Sequence, residues 1–149
     1  MSAHGLETLD HSYQTTHHWI NELDAALGWN NKARSYRLLR AVLQTLRDCL
    51  QPGEMADLGA QLPSLLRGVY YEQWRPMAAQ KPRRDRDHFF AAIDRHFAND
   101  PIDDVGDATS VVFNLLSKKI SAGEIDEVVQ SLPPELRSLW NVRVQAPVR

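Results

Sequence analysis

The apolar residues of this chain recur at helical spacing in two stretches that lie 70 positions apart. The first stretch consists of Trp19, Ile20, Leu23 and Leu27, and the second of Phe89, Phe90, Ile93 and Phe97. The spacing i, i+1, i+4, i+8 places each set on one face of a helix. No segment alternates apolar and polar residues over enough positions to make a strand. The pattern therefore predicts an all-α fold.

The same offset of 70 residues aligns His18–Tyr70 with His88–Trp140 without a gap. About ten aligned positions are identical, where background residue frequencies would give roughly three. Leu62-Pro63 falls on Leu132-Pro133, and the apolar residues Val42, Leu43, Leu46 and Leu50 fall on Val112, Phe113, Leu116 and Ile120. The sequence is therefore predicted to form a compact helical bundle of two pseudo-symmetric repeats of about four helices each.

Predicted boundaries divide the chain into five segments. These are a flexible N-terminus (1–14), a first helical repeat (15–70), a linker (71–86), a second helical repeat (87–140) and a C-terminal tail (141–149). The prolines Pro76 and Pro82 and the charged run 81–87 place the linker. Within the repeats we expect helices near 15–28, 31–50, 53–61, 63–71, 86–98, 103–120, 122–131 and 133–140.

Residues that favour helix ends define these boundaries. Side chains suited to an N-cap occur at Thr15, Asn30, Asp85 and Asp100, and Gly28 is suited to a C-terminal stop. Ser121-Ala122-Gly123-Glu124 has the capping-box form, in which the serine and the glutamate each satisfy a free backbone N–H. Gln51-Pro52-Gly53-Glu54 keeps the glutamate with a weaker cap.

Composition narrows the class of protein. The 149 residues are 43% apolar and carry a formal charge of -2, which favours an ordinary globular chain over a disordered one or a general polyanion binder. No apolar run is long enough to span a membrane, and no signal-peptide pattern opens the chain. We therefore expect a cytoplasmic protein. Its one cysteine, Cys49, falls in an apolar helical run and is expected to be buried and inert.

Three stretches are characteristic of a known family. They are Leu39–Leu43, Ala60–Pro76 and Ile120–Trp140, the last containing Leu132-Pro133-Pro134-Glu135-Leu136-Arg137. In these stretches the sequence resembles the bacterial domain of unknown function family 2267, and the resemblance covers nearly the whole chain after about Thr15. It implies an all-helical bacterial cytosolic protein. Because no activity is established for that family, it supplies no catalytic residues.

Residues that recur in both repeats are interpreted as structural. Glu54 and Glu124 are expected to cap the third helix of each repeat, and Arg67 and Arg137 to tether the fourth. Tyr70 and Trp140 close the fourth helices. The histidines His17, His18, His88 and His96 show none of the spacings of strong metal sites, so neither a metal nor a cofactor is predicted.

The sequence contains no phosphate-binding loop or nucleophile elbow, and no catalytic residue is predicted. We favour a non-catalytic protein-interaction or regulatory module with an unidentified protein partner. Two alternatives remain open: a small enzyme or metal-binding protein with a site between the two repeats, and a weak nucleic-acid binder using the basic linker. The acidic residues Asp85 and Asp87 interrupt that linker, which disfavours nucleic acid. The sequence defines neither the oligomeric state nor the packing of the repeats.

The similarity between the two repeats ends just after Tyr70, and the residues that follow indicate a partner surface. Tyr71, Trp74 and Arg75 follow it, whereas the second repeat continues with Asn141 and no aromatic residue. Tyrosine, tryptophan and arginine are enriched where binding energy concentrates. We therefore predict that these three residues bind the partner, with anchoring of the linker by Trp74 as the alternative.

Overall fold

The computed structural model describes residues 6–75 and 85–145, which form eight α-helices and no strand. The helices are α1 (Glu7–Leu27), α2 (Lys32–Cys49), α3 (Pro52–Ala60), α4 (Ser64–Tyr71), α5 (Arg86–Asp94), α6 (Val105–Lys119), α7 (Ala122–Ser131) and α8 (Pro134–Gln145). A single 3₁₀ turn, Arg95–Phe97, follows α5. The predicted all-α class is confirmed.

One hydrophobic core joins all eight helices. The long helices α1, α2 and α6 contact one another at its centre, α4 packs on α1 and α2, and α8 packs on α6. Trp140 stacks on Phe113 with ring centroids 4.1 Å apart, and both side chains are fully buried. Cys49 is buried in this core, as the apolar pattern around it predicts.

Contacts between the first four helices and the last four come in reciprocal pairs. Helix α1 packs on α6 while α2 packs on α5, and α2 meets α6 as α3 meets α7. Two units related by a two-fold rotation give this pattern. If a helix of the first unit contacts a helix of the second, the equivalent helices with the units exchanged make the same contact. The two-repeat organisation itself remains a prediction, and superposition of 18–70 on 88–140 is its test.

The turn between α1 and α2 confirms one predicted helix end and corrects another. Gly28 ends α1 in the left-handed region with φ 70°, as predicted. Asn30 also takes a left-handed conformation, with φ 52°, so it cannot serve as the cap. The cap is the next residue, Asn31, whose Oδ1 accepts a hydrogen bond from the Arg34 N–H at 3.1 Å.

In the second half, too, one predicted N-cap is confirmed and the other is wrong. Asp85 caps α5 as predicted, accepting a hydrogen bond from the His88 N–H at 2.9 Å. Asp100 caps nothing, because its carboxylate instead accepts a 2.7 Å hydrogen bond from Arg34 of α2. Asp104 replaces it, accepting from the Asp107 N–H at 3.0 Å, and α6 therefore begins at Val105.

Both ends of the described chain are more helical than the sequence predicts. Helix α1 begins at Glu7, so residues 7–14 are helical and Thr15 lies inside the helix rather than at its cap. Helix α8 continues to Gln145, into the predicted tail. Of the other predicted segments, residues 1–5, 76–84 and 146–149 lie outside the described residues. None of the described helices combines the length and apolarity that crossing a membrane requires.

Candidate functional site

A groove of about 380 Å³ opens between α1, α2 and α4. Its lining is mostly apolar and consists of Thr16, His17, Ile20, Lys32, Ala33, Tyr36, Leu65, Leu66 and Val69. Leu66 is fully buried and forms the floor with Val69, whereas Leu65 is 48% exposed at the rim. The volume lies within the range of ordinary ligand sites in proteins, roughly 300–1,000 Å³.

Hydrogen bonds attach α4, the third wall of this groove, to the other two helices. The N-terminus of α4 is held to α1 by a hydrogen bond from the Leu65 N–H to Ser12 Oγ at 3.0 Å. At its other end, α4 is held to α2, since buried Arg47 donates to the Tyr70 carbonyl at 2.9 Å and to the Glu72 carbonyl at 2.7 Å. Both ends of the groove's third wall are therefore anchored.

An exposed apolar strip runs along α1 into the groove. Leu6, Leu9 and Tyr13 are each more than half exposed, and Ile20 follows them on the same face. The spacings of three, four and seven residues keep these side chains on one stripe of the helix. At 1.5 Å per residue the exposed part, Leu6 to Tyr13, is about 10 Å long, and the stripe reaches about 21 Å when Ile20, buried in the groove, is included. We call Leu6, Leu9, Tyr13 and Leu65, together with the groove, the α1–α4 face.

The predicted partner residues lie at the C-terminal end of α4 and just beyond it. Trp74 is 36% exposed and packs edge-on against Tyr71, with ring centroids 5.8 Å apart. Tyr71 is half-buried and lies close over α3, where a Cβ added to Gly59 would stand only 2.9 Å from the tyrosine Oη. Arg75 is exposed. A partner could reach Trp74 and Arg75 here, with Tyr71 acting as their support.

The two recurring arginines make the same contacts 70 residues apart. The Nη2 of Arg67 donates to the carbonyls of Leu62 and Ala60, at 3.0 and 3.2 Å. The Nη2 of Arg137 donates to the carbonyls of Leu132 and Gln130, at 2.8 and 3.3 Å. Each arginine therefore joins the fourth helix of its half to the end of the third helix. Neither forms an ion pair with the recurring glutamates in the described part of the chain.

Tyr70 and Trp140 are fully buried and each donates one hydrogen bond. The Tyr70 hydroxyl donates to the Met55 carbonyl at 2.8 Å, and Trp140 Nε1 donates to Ser117 Oγ at 2.7 Å. Burial raises the pKa of the Tyr70 hydroxyl, which therefore stays protonated. Both residues are inaccessible to a partner.

The recurring glutamates do not both act as predicted. Ser121 Oγ caps α7 by accepting from the Glu124 N–H at 3.3 Å, but the Ser121 N–H donates to Gln61 Oε1 at 3.1 Å. The capping box is therefore not closed by the Glu124 carboxylate, because Gln61 from the other half already binds the N–H that it would need. That carboxylate turns instead toward α3.

Four carboxylates from α3 and α7 converge at this contact. One oxygen from each of four side chains lies within 4.8 Å of the others, and we call this set the α3–α7 carboxylate cluster: Glu54, Asp57, Glu124 and Glu127. Sequence reasoning missed it, although a signal was present. The pattern E-x-x-D at 54–57 returns as E-x-x-E at 124–127, so the offset of 70 pairs acid with acid twice.

The four acidic side chains of this cluster lie close together, and none of the basic side chains among the described residues forms an ion pair with them. Burial, followed by a hydrogen bond with Glu54 and the nearby negative charges, raises the pKa of Glu124 from 4.5 to about 8. Apart from this contact between the two carboxyl groups, the buried Oε2 atoms of Glu54 and Glu124 have no hydrogen-bond partner. None of the ion pairs among the described residues involves a member of the cluster.

The histidines lie elsewhere. The set of possible metal ligands that the described residues bring together contains no histidine. His17 lines the groove, and His88 Nδ1 lies 2.9 Å from Asp85 Oδ1 at the start of α5. Burial, with the positive charges of Arg40 and Arg95, lowers the pKa of His96.

The basic residues of the linker are only partly described. Lys81, Arg83 and Arg84 lie outside the described residues. Arg86 opens α5, where its Nη2 donates to the Glu135 carbonyl at 3.1 Å and to Ser138 Oγ at 2.9 Å. One nitrogen of its guanidinium is therefore engaged with α8.

These features define an all-helical protein with an apolar groove on one side and a carboxylate cluster between two short helices. The chain belongs to the family described as "Uncharacterized conserved protein (DUF2267)", which matches residues 16–139. The match confirms the family resemblance of the sequence and assigns no activity. No curated protein matches the chain.

Proposed function

We propose that this protein is a protein-interaction module whose α1–α4 face binds an amphipathic helix of a partner protein. The observation that carries the proposal is the exposed apolar strip of α1 and its continuation into the groove. Contiguous exposed apolar surface of this kind is uncommon on proteins without partners. A non-catalytic, regulatory role in the bacterial cytoplasm, as the sequence predicts, is part of the same proposal.

A helix fits the shape of this surface better than a small molecule does. The groove accommodates a few apolar side chains. The exposed residues Leu6 to Tyr13 add about 10 Å along α1, so the apolar stripe from Leu6 to Ile20 in the groove is about 21 Å long. A partner helix of about 14 residues covers that length and presents apolar anchors at i, i+3, i+4 and i+7. Leu65 and Tyr13 then pack against its flanks, and the Leu66 floor receives one anchor.

Charge at the two ends of the strip favours one orientation of the partner. Lys32 lines the groove, and Glu7 lies in the first turn of α1 at the opposite end of the strip. A partner carboxylate beside Lys32 and a partner lysine or arginine near Glu7 would complement both charges. Such pairs act mainly on orientation and association rate.

Site-specific photo-crosslinking tests the proposal. A photoreactive residue replaces Leu65 in the full chain, and the cross-linked peptide is sequenced by mass spectrometry. The proposal expects one partner protein, linked through a segment whose apolar residues follow helical spacing. A second change, Tyr36→Glu, places a charge in the groove and should abolish the link. Cross-links to a second copy of this chain, or links that survive Tyr36→Glu, would contradict the proposal.

The segment Tyr71, Trp74 and Arg75 stays a second candidate surface for the same partner. Its supporting observation is the partial exposure of Trp74 beside Arg75. Trp74→Ala serves as the matched variant in the crosslinking experiment. Loss of the Leu65 link in Trp74→Ala, with an unchanged melting temperature, would extend the binding surface to this segment. A drop in melting temperature without loss of the link would assign Trp74 to packing.

A further inference from the structure

We propose that the α3–α7 carboxylate cluster is a binding site for a divalent cation that prefers oxygen ligands, and that Ca²⁺ fits it best. The proposal is independent of the α1–α4 face, since the cluster shares no residue with it. Such an ion would be held by two ligands from each half of the chain. It would therefore link α3 to α7 across the contact between the halves.

The arrangement of the ligands is built by helix geometry. Residues three apart on a helix lie on the same side, so Glu54 and Asp57 project together from α3. Glu124 and Glu127 project together from α7 in the same way. Because α3 and α7 pack against each other, the two pairs face one another and all four carboxylates converge.

The spread of the oxygens matches one ion. Ca²⁺ binds oxygen at about 2.3–2.6 Å, so two ligands on opposite sides of it are about 4.6–5.2 Å apart. Mg²⁺ binds at about 2.0–2.1 Å, which gives about 4.0–4.2 Å. The cluster places its oxygens within 4.8 Å of one another. This upper limit accommodates Ca²⁺ without movement of the helices, and Ca²⁺ accepts irregular ligand geometry, whereas Mg²⁺ demands a near-ideal octahedron.

A second observation points to a ligand independently of the clustering. Glu124 is 9% exposed, and its Oε2 is buried with no hydrogen-bond partner outside the cluster. An unpaired buried carboxylate oxygen costs free energy that a hydrogen bond or a cation would recover. The structural role expected of this residue does not explain it, since the Ser121 N–H is bound to Gln61 instead.

The remaining two carboxylates give the ion a route in and room for water. Asp57 and Glu127 are exposed, so the cluster is open to solvent on one side. Ca²⁺ takes six to eight oxygen ligands, and water can fill the positions that the carboxylates leave. The all-oxygen ligand set, without histidine or cysteine, favours Ca²⁺, Mg²⁺ or Mn²⁺ over softer metals such as Zn²⁺ and Cu²⁺.

Calorimetric and thermal titrations of the full chain test the site. The protein is stripped with a chelator and titrated with CaCl₂, MgCl₂ and MnCl₂, and its melting temperature is followed in parallel. We expect one Ca²⁺ per chain and a higher melting temperature with Ca²⁺. Glu124→Gln and Asp57→Asn should each weaken binding by about tenfold or more, because even losing a partner of a ligand costs that much.

A matched control separates coordination from general charge. Asp126→Asn removes the same charge from an exposed position on the same helix, outside the cluster, and should leave the affinity unchanged. The exposed Asp57 variant keeps the test decisive if the buried Glu124 variant unfolds. Absence of binding by all three cations, or equal binding by wild type, Glu124→Gln and Asp57→Asn, would overturn the proposal. Tighter binding of Mg²⁺ than of Ca²⁺ would overturn the proposed preference for Ca²⁺.

Discussion

Between α1, α2 and α4 the first half leaves an open groove, whereas the positions 70 residues further along are covered by side chains. Phe90 stands where the first half has Ile20, and it packs over Gly106, where the first half has Tyr36. A Cβ added to Gly106 would lie 3.4 Å from the Phe90 ring. The aromatic ring therefore fills the space that remains open in the first half.

The rims of the two regions differ in chemistry as well. Leu65 at the groove rim corresponds to Glu135, whose Oε1 accepts a hydrogen bond from the Arg86 N–H at 3.0 Å. The Arg86 guanidinium then closes over α8 through the Glu135 carbonyl and Ser138. The second half thus seals with polar contacts a surface that the first half leaves apolar and exposed. The two halves therefore place different chemistry at the same position of the helical scaffold.

The largest difference we expect concerns the leucines beneath the two regions. Leu66 and Leu136 are both fully buried and occupy corresponding positions. Leu→Ala at either position should cost about 2–5 kcal/mol of unfolding free energy. Leu136→Ala should lie at the upper end, because its cavity is enclosed, and Leu66→Ala at the lower end, because the groove floor can collapse. Urea denaturation measures both. Equal losses of unfolding free energy would mean that the groove floor around Leu66 collapses no more easily than the packing around Leu136.

A pH effect should appear where the two halves meet. Folded Glu124 keeps its proton to a higher pH than the unfolded chain does, so the folded state binds more protons between pH 4.5 and about 8. The unfolding free energy of chelator-treated protein should therefore fall as pH rises through this window. We expect the melting temperature to drop by about 2–4 °C for each kcal/mol lost.

Glu124→Gln removes the titrating group and should flatten this pH dependence, while raising the melting temperature of the metal-free protein near pH 8.

Asp24 has the opposite effect on the pH dependence of stability, and its effect falls at lower pH than that of Glu124. Its pKa is lowered by the hydrogen bond from Ser35 and by that from the Asn31 backbone, so its stabilisation is lost only as pH falls below 3.8. A melting temperature that rises between pH 4.5 and 8 would refute the assignment to Glu124.

The smallest expected difference concerns the rims. Arg86→Ala removes two guanidinium hydrogen bonds to α8 and should cost about 1 kcal/mol. Lys32→Ala changes a groove residue with no hydrogen bond in the described part of the chain and should stay within about ±0.5 kcal/mol. Thermal melts of the two variants give the comparison. If Lys32→Ala proves the more costly, the open rim contributes to folding and the contrast between the halves is wrong.

Most of the helical structure could be predicted from the sequence because apolar spacing and capping residues act locally. The early start of α1 was predictable too. Leu6, Leu9 and Tyr13 continue the apolar stripe on the N-terminal side of Thr15, and this continuation predicts the start of α1 better than the capping preference of Thr15 does. The role of Asp100 is not visible in local sequence, because its partner, Arg34, is 66 residues away.

The candidate sites depend on contacts that local patterns do not reveal. Glu54 and Glu124 were recognised as a recurring pair, yet only the packing of α3 against α7 brings them together. The packing of α3 against α7 also brings Asp57 and Glu127 into the cluster, although local sequence indicates only that they are exposed acidic residues. The groove likewise depends on the distance between three helices, which no spacing in the sequence encodes. Charge repeated at the same offset was the one usable signal.

The reciprocal packing of the two halves has a consequence for what holds the molecule together. Arg34 of α2 reaches the carbonyls of Asp100 and Pro101, α1 lies on α6, and α2 lies on α5. Neither half buries its apolar surface without the other. Supplied as separate polypeptides, 1–75 and 85–149 should behave like the subunits of an obligate heterodimer. Covalent continuity would then raise the local concentration of one half around the other without creating the core.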